Sequence, residues 1–135
     1  MDAINWNEID SFPLFENCDE MASKMEQQKC FQETFASHMS SAIDSHSFLV
    51  TETISDTIYL HLTIDNEGAL SILAIAKSNE INTQLPDLEN ILINAINDLP
   101  RIYPALKKVT SSDTNEAQLI PVAVKLNLPI IVSVD

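Results

Sequence analysis

The sequence contains a single glycine, Gly68, among its 135 residues. Phosphate-binding loops and dinucleotide-binding fingerprints each need several glycines within one short segment, so neither motif can occur in this chain. A lone glycine is most useful where the backbone must adopt a positive φ. Gly68 follows Asn66 and Glu67 between two apolar segments, and the sequence therefore predicts a tight turn there.

Basic residues are also scarce, with 7 lysines and arginines against 20 acids and a net charge of -13. Such a surface repels phosphate backbones and anionic headgroups, which argues against nucleic-acid binding and against more than peripheral membrane association. The acidity either serves solubility or provides an acidic face for a basic partner.

Long apolar runs are missing too. No segment approaches the ~20 apolar residues that a membrane-spanning helix needs. Residues 1–10 are polar and acidic, without the basic start and apolar centre of a signal peptide. We therefore expect either a cytoplasmic protein or one whose leader is absent from this sequence.

A hairpin over residues 57–76 is the clearest structural pattern. Ile58, Leu60, Leu62 and Ile64 alternate with more polar residues, as in a strand with one buried face. After the turn at Gly68, a more apolar segment to residue 76 predicts the second strand.

Two helices flank this hairpin in the sequence. Ser23 and Glu26 fit a capping box, which predicts a helix over residues 23–44. Pro86 suits the first turn of a second helix, and Pro100 ends it. The predicted core stripe of the first helix is Met25, Phe31, Phe35, Met39, Ala42 and Ile43.

The remaining segments are less regular. Residues 1–22 predict an ordered arm, packed through Phe12 and Phe15. Residues 48–54 are either a short strand or an extended lead-in to the hairpin. Residues 77–83 and 101–119 predict connections, the second with a mobile polar part over 110–118. Residues 121–134 predict the last strand, and Pro129 predicts that part of it lies at a sheet edge.

This order of elements predicts a single α+β domain over residues 1–135. We expect a small antiparallel sheet of about three strands with two helices packed on one face.

Four segments, taken in order, resemble the TonB C-terminal domain family over residues 56–132. They are residues 62–68, residues 96–100 (Ile-Asn-Asp-Leu-Pro), the basic-aromatic segment 101–108, and residues 121–130 (Pro-Val-Ala-Val-Lys-Leu-Asn-Leu-Pro-Ile). Residues 12–18, which end in Cys18, and the later Lys29-Cys30-Phe31 resemble an extension found in TonB-like envelope proteins.

The resemblance implies a protein–protein interaction module of the Gram-negative envelope, located in the periplasm. The implied partner is an envelope protein or an extended peptide that adds a strand to the sheet edge near the C-terminus. The same edge could instead pair with a second copy in a homodimer. The sequence carries no membrane anchor or proline-rich spacer of the TonB type, so energy transduction is not implied.

The resemblance also brings Cys18 and Cys30 together as a disulfide, which requires an oxidising compartment. In a cytoplasmic protein, the alternative is two reduced thiols.

We predict partner binding at the last strand and at the basic-aromatic segment. Two interpretations of the basic-aromatic segment stay open. Its basic side chains bind an acidic or extended peptide, or they remain solvated while neighbouring apolar residues cap the core. The predicted partner-binding residues are Pro121, Val122, Val124, Lys125, Leu126, Asn127, Arg101, Tyr103, Lys107 and Lys108.

No catalytic, cofactor or metal motif is present. Nothing in the sequence brings the three histidines together, and two cysteines alone do not make a structural zinc site. Two alternatives to a binding module stay open. One is a structural envelope protein with a vestigial TonB-like fold, and the other is a small hydrolase in which His61 converges with Asp65 or Glu67.

Overall fold

The computed structural model describes residues 3–46, 48, 53–110 and 117–134, and within them the fold is mixed α+β. The strands are β1 (Ile4–Asn5), β2 (Leu14–Phe15), β3 (Ile54–Ile64), β4 (Leu70–Ala76), β5 (Ile102–Tyr103), β6 (Ala105–Thr110), β7 (Ala117–Val122) and β8 (Val124–Val134). The helices are α1 (Lys24–Asp44), α2 (Asn79–Gln84) and α3 (Leu88–Asn97), with a short 3-10 helix at Trp6–Glu8.

The main sheet has four strands in the order β1-β8-β3-β4. β3 pairs antiparallel with β4 and with the whole of β8, from Ile54 opposite Val134 to Ile64 opposite Val124. β1 adds a parallel strand of only two residues beside the start of β8. The expected sheet of about three strands is therefore one strand too small, because a two-residue strand carries no alternation that a sequence could reveal.

Helices α1 and α3 pack together and cover one face of this sheet. The buried positions of α1 follow one another at intervals of four, which places them on one side of the helix. They are Gln27, Phe31, Phe35, Met39 and Ile43. The prediction that Met25 belongs to this stripe is wrong, since Met25 is 79% exposed. It precedes Gln27 by two positions, or about 200° around the helix.

The β3–β4 turn confirms the prediction for the single glycine. Gly68 has a φ of 89°, and its N–H donates to the Asp65 carbonyl. Asp65 Oδ1 accepts from the Glu67 and Ala69 amides, both at 2.9 Å. A Cβ at Gly68 would collide with the carbonyl of Ile102, so the turn packs closely against β5.

The helical region after the hairpin differs from the prediction in two places. Residues 77–83 were expected to be a connection, but they contain most of α2, where the Ser78 hydroxyl accepts from the Ile81 amide and Ile81 is buried. A six-residue helix with one buried residue has no detectable periodicity. Pro86 lies in the turn before α3 rather than in its first turn.

The prediction of a long connection over residues 101–119 is wrong. These residues contain β5 and β6 and the start of β7, which pairs antiparallel with β6. The N-terminal arm runs antiparallel beside them, with Leu14 opposite Tyr103 and Ser11 opposite Leu106. We call residues 10–15 together with β5, β6 and β7 the arm–hairpin layer.

Parts of two predictions fall outside the described residues. Residues 111–116 of the predicted mobile segment do so, whereas Ala117 and Gln118 belong to β7. Most of the predicted strand or lead-in at 48–54 does so as well, and Ile54 is the first residue of β3.

The arm is fastened to α1 as the sequence indicated. Phe12 and Phe15 are each 1% exposed, and their rings lie 5.6 and 4.8 Å from that of Phe31. Cys18 and Cys30 form the expected disulfide, with their Cα atoms 5.9 Å apart. Among the described residues, no helix has both the length and the apolar character needed to cross a bilayer.

Candidate interaction site

The predicted last strand is divided between two strand pairs. Pro121 and Val122 end β7 and pair with β6, whereas Val124 begins β8 in the main sheet. Ala123 separates them, and its carbonyl accepts from the Ile4 amide at 3.0 Å. The single strand expected over residues 121–134 is therefore wrong at its start. The alternation itself is confirmed, since the even-numbered residues from 122 to 132 are buried.

The bond between Ile4 and Ala123 also shows which backbone groups of β8 face outward. Successive residues of a strand direct their N–H and C=O groups to opposite sides. Because the Ala123 carbonyl points toward β1, the odd-numbered residues of β8 direct their backbone groups away from β3. Pro129 is one of these, so its missing N–H removes no bond to β3.

In the described parts of the chain, the outer side of β8 has a strand beside it only at its start. β1 pairs with Val124 and Lys125 and ends there. Along residues 126–134, no strand within the described parts of the chain lies on that side. We call residues 126–134 the unpaired edge. Its outward amide donors belong to Asn127, Ile131 and Ser133.

The sheet face opposite the helices carries exposed apolar side chains next to this edge. Ile131 is 69% exposed and lies opposite Thr57, and Tyr59 is 46% exposed and lies opposite Pro129. Natural proteins generally protect a long strand edge, with a proline as one of the means. Pro129 interrupts the row of donors but leaves the carbonyl row intact, so the edge can still accept an extended segment.

The predicted binding residues of β8 differ in their position relative to this edge. Val124 and Lys125 are flanked by β1, so the backbone there is already paired. The Leu126 side chain is only 5% exposed and faces the core. Asn127 lies on the unpaired edge and is exposed. The predicted binding residues did not include Ile131, although its position two residues after Pro129 places it on the same side of the strand.

The basic-aromatic segment lies elsewhere, in the arm–hairpin layer. The Arg101 guanidinium stacks 5.0 Å from the centre of the Tyr103 ring. Lys107 and Lys108 belong to β6, and the Lys108 amide donates to Asp10 Oδ2 at 2.6 Å. Ile102, between Arg101 and Tyr103, is buried, as the core-capping interpretation expects.

Two separate grooves divide the predicted residues further. Tyr103 and Pro121 line a groove of about 1010 Å³ beside the arm. Lys125 and Asn127 line a smaller one of about 290 Å³ that also contains Trp6. With Leu126, which also lines the smaller groove, these are five of the ten predicted residues; the other five line neither groove, so the ten do not form one site.

The hydrolase alternative requires His61 to converge with Asp65 or Glu67, and the structure does not bring these side chains into one pocket. His61 lines the smaller groove, but neither Asp65 nor Glu67 does. Asp65 comes four residues after His61 on an extended strand, about 13 Å further along, and its carboxylate is occupied by the turn. No three potential metal ligands cluster within the part of the chain that the structure describes.

We compared the chain with protein-family models, with curated proteins and with solved structures, and none of the three comparisons found a match. The resemblance to TonB C-terminal domains therefore stays a prediction, and the function has to be argued from the surfaces described above.

Proposed function

We propose that the chain is a TonB-like interaction module of the cell envelope that binds an extended segment of a partner protein along the unpaired edge of β8. The segment adds as a further strand to the main sheet. Main-chain hydrogen bonds supply affinity in this mode of binding, and alternate side chains supply selectivity.

The observation that carries the proposal is the outer side of residues 126–134, where the described chain provides no neighbouring strand. The exposed side chains of Ile131 and Tyr59 offer apolar contacts next to this backbone. The segmental resemblance to TonB C-terminal domains implies the same mode of binding.

The disulfide supports the proposed location. Disulfides persist in oxidising compartments such as the periplasm and are rare in the cytosol. The link between Cys18 and Cys30 is therefore in keeping with an envelope protein. Thiol alkylation of the protein in intact cells of its source would test this, since labelling of both cysteines without prior reduction would contradict the proposed compartment.

A pair of variants at Ile131 tests strand addition. Ile131→Pro removes an outward N–H without removing a bond to β3, whereas Ile131→Ala keeps the N–H and removes only the side chain. Each variant and the parent would be immobilised and exposed to solubilised envelope extract. We expect the parent and Ile131→Ala to retain the same envelope protein and Ile131→Pro to lose it. Equal retention by all three would contradict strand addition.

A second copy of the chain is the competing occupant of this edge, since an exposed strand edge also pairs with itself. Analytical ultracentrifugation of the parent and of Ile131→Pro separates the two cases. A dimer that Ile131→Pro dissociates would assign the edge to self-association instead of partner binding.

A further inference from the structure

A second surface, distinct from the unpaired edge, has the character of a binding site. It is the groove of about 1010 Å³ between residues 16–22 and the arm–hairpin layer, and we call it the acidic groove. This volume is at the upper end of the ~300–1,000 Å³ typical of ligand pockets.

The floor of the groove is apolar. Leu106 and Pro121 are direct neighbours across β6 and β7, and Leu119 and Tyr103 also contribute to the lining. Leu119 is 55% exposed and Tyr103 is 42% exposed. Another molecule that covered these side chains would bury more of their apolar area. The floor is therefore a surface suited to apolar contact.

The walls of the groove carry charge of one sign. Four carboxylates line it, and among the described residues no lysine, arginine or histidine does. They belong to Asp10, Glu16, Asp19 and Glu20. Asp10 accepts from the Lys108 amide and Asp19 from the Met21 amide, so both are held in place by neutral donors. None of the four forms an ion pair with any residue that the structure describes.

A backbone edge borders the same groove. The Leu106 N–H and C=O both bond to the arm at Ser11, so these groups point away from β7. Leu106 and Pro121 therefore face each other without hydrogen bonds between their backbones. For the same reason, Pro121 and Leu119 direct their backbone groups to the side of β7 that faces away from β6. No described strand lies on that side of β7.

We propose that the acidic groove binds a basic peptide segment that also carries apolar side chains, supplied by a partner protein. Charge complementarity selects the occupant, because the lining offers carboxylates that form no ion pair with the described residues, above an apolar floor. Its basic side chains meet Glu16, Asp19 and Glu20, and its apolar side chains cover Leu119 and the part of Tyr103 that Arg101 leaves open. An acidic ligand, which the basic-aromatic segment suggested in the sequence, would be repelled by the same walls.

The test uses three fluorescein-labelled short peptides in which leucine and serine alternate with lysine, with glutamate or with further serine. Fluorescence anisotropy measures their binding to the intact, disulfide-bonded chain. We expect the lysine peptide to bind, with affinity that falls as ionic strength rises, and the other two to bind much more weakly. Failure of the lysine peptide to bind, or equal binding by the serine peptide, would overturn the proposal.

A matched pair of triple variants separates the groove from the general acidity of the chain. Glu16→Gln, Asp19→Asn and Glu20→Gln together neutralise the wall. Glu80→Gln, Asp87→Asn and Asp98→Asn remove the same charge from exposed positions in and around α2 and α3. The wall variant should bind the lysine peptide about tenfold more weakly, and the control variant should bind like the parent. Equal losses in both would show non-specific attraction and overturn the proposal.

One further variant and one competitor address the nature of the occupant. Leu119→Ser should weaken binding of the lysine peptide without changing how that binding depends on ionic strength, because the substitution removes an apolar contact only. Spermine, which has charge but no apolar side chain, should compete poorly. Strong competition by spermine together with unchanged binding to Leu119→Ser would assign the groove to small polycations and overturn the peptide assignment.

Discussion

The main sheet and the arm–hairpin layer are stabilised in different ways. In the main sheet, the even-numbered apolar side chains from Ile58 to Ile64 in β3 and from Val124 to Val132 in β8 are almost fully buried beneath the helices. In the arm–hairpin layer, five of the six residues of β7 are exposed, and Val109, Leu119 and Ile120 stay open to solvent. The layer contributes fewer core residues, among them Ile102, Ala105 and Val122, and is also attached by links between the arm and α1.

This difference assigns a structural role to the main sheet and a contact surface to the arm–hairpin layer. Burial on the scale of the main sheet makes a stable scaffold, since each large apolar side chain contributes about 1.5–3 kcal/mol when fully buried. The arm–hairpin layer leaves apolar and charged groups available for contact. Further links tie the arm to the scaffold: the edge-on contact of Phe12 and the stacking of Phe15 on Phe31, the disulfide, and the hydrogen bonds of Gln27.

The largest effect is expected at Phe31, where the two regions meet. Phe31 is fully buried and contacts the rings of Phe12, Phe15 and Phe35. Phe31→Ala should lower the free energy of unfolding by about 3–5 kcal/mol, because it removes a large core side chain and leaves a cavity. Urea denaturation measures this loss, with exposed Glu33→Ala as the control. Similar losses in both variants would contradict the central place given to Phe31.

Loss of the disulfide should come next and should separate the two regions most clearly. Replacing Cys18 and Cys30 with alanine opens a short ring, and the chain-entropy account predicts a loss of roughly 3 kcal/mol. Hydrogen exchange should accelerate mainly at the amides of residues 10–15 and of β5 and β6, and chemical reduction of the parent should reproduce this pattern. If hydrogen exchange accelerated equally at all amides, including those at the centre of β3, the proposal that the layer is attached separately from the main sheet would be contradicted.

Gln27 is a polar link within the buried stripe of α1, and it is 3% exposed. Its Oε1 accepts from the Phe12 amide at 3.0 Å, and its Nε2 donates to the Glu20 carbonyl at 3.1 Å. Gln27→Met keeps the shape but leaves the Phe12 N–H without a partner, at a cost of about 1–3 kcal/mol. Thermal unfolding of this variant would measure the loss of stability, with Gln28→Met, at the neighbouring position, as the control. An unchanged stability would mean that the arm does not depend on this link.

The smallest effect concerns Asp56, which belongs to the scaffold. A hydrogen bond from the Ser78 hydroxyl, followed by one from the Thr57 amide, lowers the pKa of its carboxyl. A lowered pKa means that these bonds stabilise the fold at any pH above the ordinary range of an aspartate. That contribution is lost as the pH falls through the lowered pKa.

Asp56→Asn should therefore be slightly less stable than the parent at neutral pH and equal to it in strong acid. Denaturation across the acid range measures this, together with NMR titration of the carboxyl. A stability difference that does not depend on pH would contradict the assignment.

Prediction from the sequence succeeded where the physical cause is local. The alternation in β3, the cap at Ser23 and the single glycine each act over a few residues, and the structure confirms all three. Helix α2 was missed because one buried residue makes no pattern. β7 was missed in part because its mostly exposed residues show no alternation.

The candidate sites depended even more on distant contacts. Asn127 was predicted as a partner-binding residue, and it lies on the unpaired edge because β1 ends at Asn5. The acidic groove combines Glu16 and Asp19 of the arm with Leu119, about a hundred positions later in the chain. No local pattern records such a meeting.

The sequence by itself determined the α+β class, the hairpin at Gly68, the extents of the first helix and the buried face of the last strand. These follow from periodicity and backbone chemistry, which operate between near neighbours. Only the tertiary structure decided that the arm pairs beside residues 102–106, that the last strand divides at Ala123, and that the carboxylates gather on one groove. These depend on which distant segments best satisfy one another's hydrogen bonds and apolar surfaces, and that is settled only when the whole chain packs.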